Sequence, residues 1–168
     1  MNKKLFLLLF AVIVLFIACS KTGSEGVSEE AAKVIEAMLT CPNPDLFNPE
    51  IITQIGLGVE LSDEEKEKIK VASEKAELNW NNAVGKYFGY GFLKTFLTQG
   101  PAYKYLMEAE LYEKTINIES IALKEKTDDS ETVQVNLSVN GEKKQVDVTF
   151  KYDLEGLIKT VIASDIQY

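Results

Sequence analysis

The side chains able to do chemistry in this chain are few in kind. It has no histidine, and all 18 of its basic residues are lysine. The usual neutral-pH proton shuttle and the bidentate fork that grips phosphate are therefore both missing. Acid–base work would fall to Asp, Glu, Lys or Tyr, as a carboxylate in an apolar pocket can manage, but spacing distinguishes no pair. Cysteine occurs twice, at 19 and 41. Cys41 without a histidine to activate it reads as a small buried hydrophobe. The "DDSE" run at 128–131 clusters carboxylates without the spaced ligands and central glycine of a calcium loop, so it reads as a solvated turn. No metal or cofactor is expected. The largest concentration of recognition chemistry is aromatic: Trp80, Tyr87, Phe88, Tyr90, Phe92, Phe96, Tyr103, Tyr105 and Tyr112 are nine of the thirteen aromatic residues beyond residue 18. Flat faces with polar edges suit a sugar or an apolar ligand, and Trp80, Tyr87, Tyr90, Tyr103, Tyr105 and Tyr112 are the candidate ligand-binding residues. The competing reading is that they fill the space between a helix and a sheet.

The elements that would position these residues run helices first, strands second. Ser28 can cap a helix carrying Ala31, Val34, Ile35 and Met38 at helical spacing, which "CPNP" at 41–44 ends. A short turn is expected from Asn48-Pro49 to Gly56, with Ile51, Ile52 and Ile55 as its apolar side. Ser62 and Glu65 then form a capping box for a long helix whose Ile69, Ala72, Ala76, Trp80, Ala83, Val84 and Tyr87 lie on one face. Glycines near 89 and 91 break that pattern, "FLKTFLT" (92–98) fits helix or strand, and Gly100-Pro101 restarts a helix carrying Tyr105, Leu106, Ala109 and Tyr112. From Thr115 the period falls to two. Val133, Val135, Leu137 and Val139 alternate with polar residues, as do Val146, Val148, Phe150 and Tyr152, and Asn140-Gly141 between them signals a tight primed turn. With Ile116 to Lys126 before that hairpin and Leu157 to Ile166 after it, the pattern predicts an α+β domain. N-terminal helices precede a four-stranded antiparallel meander whose apolar face wraps the long helix and the aromatic segment.

The N-terminus is organised differently. Lys3 and Lys4 precede fourteen uninterrupted apolar residues, Leu5 to Ala18. That run is too short to cross a bilayer, which takes roughly 20 residues, but fits an export signal. Phe16-Ile17-Ala18-Cys19 resembles the lipobox of bacterial lipoproteins. The resemblance implies cleavage after Ala18 and lipidation of Cys19, with residues 1–18 as signal peptide, 19–27 as lipidated cysteine and tether, and 28–168 as a single domain. The protein would then sit on the extracytoplasmic side of the cell membrane. Without Lys3 and Lys4, 16 lysines face 26 acidic residues, a balance of −10. That opposes nucleic acid and an anionic lipid surface, and leaves the holding to the lipid. The eight residues from Ser20 to Val27 reach at most about 26–29 Å, so the domain stays close to the bilayer.

In element order, and in its "strand, Asn-Gly, strand, acidic-Gly turn, strand" ending, the stretch from 28 to 168 resembles the cystatin-like architecture, in particular small Gram-positive lipoproteins with a nuclear-transport-factor-two-like domain. The match has no tryptophan in its last strand, where many such domains carry one. The resemblance implies a cavity between sheet and helices but assigns no functional residue. The expectation is a non-catalytic module binding a small ligand or substrate near the membrane, or an interaction and scaffold domain for another envelope protein.

Overall fold

The computed structural model describes residues 26–49 and 62–166. The turn expected over Asn48 to Gly56 falls largely outside the described residues, as do the expected signal segment, Cys19 and most of the expected tether.

Helix α1 (Glu29–Leu39) forms where the sequence asks for it. The Ser28 side chain accepts from Ala31 N at the N-cap, and Ala31, Val34, Ile35, Ala37, Met38 and Leu39 are all buried. Cys41 leaves the helix by pairing its backbone with Ile116, with N···O distances of 3.0 and 2.9 Å. Helix α2 (Asp63–Val84) starts with the full capping box of Ser62 and Glu65 and tightens into a 3₁₀ turn over Gly85–Tyr87. Helices α3 (Phe92–Thr98) and α4 (Lys104–Leu111) follow, so the ambiguous "FLKTFLT" run is helical.

Strands β1 (Ile116–Lys126), β2 (Ser130–Val139), β3 (Glu142–Tyr152) and β4 (Ile158–Ala163) form one antiparallel sheet in the order β1-β2-β3-β4. Asn140 and Gly141 have φ of 51° and 88°. Positive φ at both central residues is the primed turn whose twist matches the flanking strands. The register opposes Val133 to Val148 and Val135 to Val146, which puts one apolar face on the core. The other face is closed by polar side-chain ladders such as Gln145 to Asn136 to Ser120.

The architecture is therefore α+β, with helices ahead of a four-stranded antiparallel meander. The aromatic segment covers part of the sheet as expected, but α1 takes much of the share expected of the long helix. Helix α1 packs on β1 and α3 on β4, whereas the long α2 buries only Ala76, Trp80 and Val84. Its first half carries ion pairs such as Glu64–Lys68 (2.8 Å), and its Val71 and Leu78 are exposed. Six of the eleven residues of α1 are buried and apolar, so α1 offers the sheet a drier face than α2 can.

Because the meander reverses at each turn, one end of the sheet holds the β1–β2 and β3–β4 turns and the other holds Asn140-Gly141. Helix α1 crosses from the first end, where Ser28 meets Tyr152, to the second, where Cys41 meets Ile116.

Candidate functional site

The period-two burial of β2 runs back from Val139 through Val133 to Glu131. This places a carboxylate on the core face, and Glu131 is 1% exposed. The "DDSE" run is thus only partly a solvated turn. Asp128 and Asp129 are exposed, but Glu131 faces inward because the strand phase begins before the apolar residues do. Glu131 Oε1 accepts from Ser28 Oγ and from the Tyr152 hydroxyl at 2.7 Å. Ser28 Oγ in turn accepts from Ala31 N at 3.2 Å. With both hydroxyl protons directed at Oε1, the 3.1 Å Ser28–Tyr152 contact has no proton of its own.

Lys126, opposite Glu131 in the register, brings Nζ to 3.4 Å of Oε2. That oxygen has no hydrogen-bond partner, so the Lys126 contact is a charge interaction rather than a directed bond. The start of α1 adds its own positive end to the site. Burial, reinforced by the Glu131 carboxylate and only partly opposed by Ser28, pushes the Tyr152 phenol well above its ordinary value. It therefore stays protonated and donates.

A carboxylate beside a tyrosine and a lysine is what acid–base chemistry in this chain would require. Here the carboxylate is sealed and its donors are committed, and neither of the two clefts described below reaches it. The arrangement clasps α1 to β2 and β3.

The aromatic candidates divide. Trp80 is fully buried, meets Phe96 and Tyr103 edge-on at 5.7 and 5.8 Å, and donates Nε1 to Leu46 O at 3.0 Å. Tyr105 is buried and donates to Ser164 O. Tyr87 is half-buried and donates to Glu29 at 2.9 Å. Tyr90 and Tyr112 are exposed, the latter beneath Lys114 Nζ at 5.1 Å. The structure brings Trp80 and Tyr103 together and separates the others.

Two clefts flank the loop after α1. One, of about 720 Å³, lies between Pro44, Phe47 and the Lys68, Val71, Lys75 face of α2, and abuts Pro49, where the described residues break off. The other, of about 310 Å³, lies between Pro42 and the Leu106, Glu110 face of α4. None of the six aromatic candidates lines either cleft. Cys41 is buried, and burial, with a smaller contribution from Glu108, pushes its thiol up to about 12, far from a nucleophile's range. No cluster of three or more potential metal ligands and no helix long and apolar enough to cross a membrane occurs among the described residues.

Strand phase was the signal for Glu131, since 131 extends the inward positions 133–139 by one step, while Tyr152 already belongs to the alternating set of β3. Comparison with protein-family models, curated proteins and solved structures finds no match to this chain.

Proposed function

We propose that this chain is a lipid-anchored binding module of the cell envelope, held by Cys19 on the extracytoplasmic face of the cell membrane, that works through its outer surface on another envelope protein. The observation that carries this reading is where the reactive side chains sit. Glu131 is sealed, Cys41 is buried and protonated, and Trp80, Tyr103 and Tyr105 pack in or against the core. What the domain offers a partner is its surface, and its first helix begins within ten residues of Cys19. A second reading, capture of a small ligand or substrate, is favoured by the 720 Å³ cleft beside α2, whose lining mixes Phe47 and Val71 with Lys68 and Lys75.

Labelling cells with an alkynyl fatty acid tests the anchor. Wild-type protein is expected to take up the label and sediment with membranes, and Cys19→Ser to lose both properties. Label that persists in Cys19→Ser would remove the anchor reading. Cross-linking in the same cells then addresses the partner. A discrete adduct with one envelope protein supports the interaction reading, and a monomer that captures nothing counts against it.

A further inference from the structure

Two apolar side chains stand free of the fold at turn tips, Tyr90 at 104% and Leu154 at 107% relative exposure. Tyr90 sits between Gly89 and Gly91, and Leu154 lies in the β3–β4 turn closed by Gly156. The two turns are neighbours. Phe88 bridges to Ile158, Gly89 N donates to Ile158 O at 3.1 Å, and a Cβ on Gly89 would lie 2.6 Å from Asp153 Oδ2. Both turns occupy the end of the sheet where α1 begins, since Tyr87 bonds Glu29 and Tyr152 touches Ser28. The chain reaches this end from the N-terminal side, nine residues after Cys19.

We infer that Tyr90 and Leu154 rest on the lipid surface beside the anchored Cys19, fixing the domain with this end toward the bilayer and Asn140-Gly141 away from it. The inference rests on the lipid-anchor reading above. A tyrosine presents an apolar ring and a polar tip, which suits the headgroup boundary, and leucine suits the layer beneath. Two side chains make a weak contact, but the short tether makes the second encounter intramolecular and its effective concentration high. Charge selects the kind of surface. Glu29, Glu30, Asp128, Asp129, Asp153 and Glu155 share this end with Lys86, Lys126 and Lys151, an acidic balance, so zwitterionic headgroups fit and anionic ones are repelled.

The test uses the full lipidated protein in phosphatidylcholine vesicles. Leu154→Cys and, at the opposite end, Lys143→Cys are each labelled with an environment-sensitive dye. Cys19 is blocked by its lipid and Cys41 is buried, so the introduced thiol takes the label. Quenching by lipid-borne nitroxides is expected to be several-fold stronger at 154 than at 143, with a blue-shifted emission at 154 alone. Adding Tyr90→Ser, or anionic lipid, is expected to weaken the quenching at 154. Protein that floats with the vesicles but is quenched equally at both positions overturns this inference and leaves the anchor intact. Protein that does not float overturns both.

Discussion

The two ends of the sheet hold the same helix by different physics. At the far end, Cys41 and Ile116 exchange backbone hydrogen bonds inside an apolar setting, and no side-chain polar atom is required. At the end where α1 begins, Ser28, Tyr152 and Lys126 converge on one buried carboxylate. Backbone pairing survives a change of side chain, whereas a buried charge is tolerated only while its partners stay. The end where α1 begins is therefore the better specified and the more easily broken.

The largest expected effect tests that asymmetry. Glu131→Ala leaves the buried hydroxyls of Ser28 and Tyr152 without their acceptor and Lys126 without its counter-charge, and should lower the unfolding free energy by about 2 kcal/mol. Glu131→Gln keeps an acceptor and should cost less. Urea unfolding reads both, and a loss under about 1 kcal/mol for Glu131→Ala would mean the carboxylate contributes no more than an ordinary hydrogen bond. The next effect asks whether the ends differ in anything else. Gly141 and Gly156 have φ of 88° and 79°, and a Cβ at either meets nothing within 4 Å. Alanine at either position then carries only the left-handed backbone penalty, about 1 kcal/mol each. Equal losses would confine the difference between the ends to Glu131 and its partners. A much larger loss for Gly156→Ala would show that the near turn carries strain of its own.

How much of this was legible follows from the range of the signals. The capping box of Ser62 and Glu65, the Asn140-Gly141 turn and the alternation of β2 and β3 are local patterns, and each appears where the residues place it. The share of the core that α2 supplies is smaller than its pattern suggests, because amphipathic periodicity says which side is apolar but not how much of it finds a partner. Ile69 and Ala72 repeat at helical spacing with Trp80, yet only the second half of that helix meets the core. Glu131 was misjudged for a related reason. Beside two aspartates and a serine it reads as turn chemistry, and only the strand phase, carried one step past Val133, turns it inward. Its hydrogen-bond partners lie 103 and 21 residues away in sequence, beyond any local pattern. The aromatic group was legible as a concentration but not as a site, because spacing cannot tell Trp80, which finds a ring on two sides, from Tyr90, which finds none.

The smallest effect lies at the far end and changes with pH. Cys41→Ala removes one buried atom in an apolar setting and should cost about 1 kcal/mol at pH 7, as for other single-group core deletions. The native thiol is raised from 9.0 to about 12, chiefly by burial. Below pH 8 the thiol is protonated in both states, so the stability from burying it neutral is fully present. Between about pH 9 and 12 the unfolded thiol ionises while the native one does not. The unfolded state then binds fewer protons, and stability falls as pH rises. Tyr152, also raised by burial, adds alkaline loss of the same sign at the other end, and this persists in the variant. Wild type should therefore lose its advantage over Cys41→Ala as pH rises above 9 and fall below the variant by pH 10.5, with both declining. Urea midpoints at pH 8 and 10.5 test this. A gap that stays constant would mean that the far end does not hold its thiol neutral, and that its closure is wetter than its apolar surroundings imply.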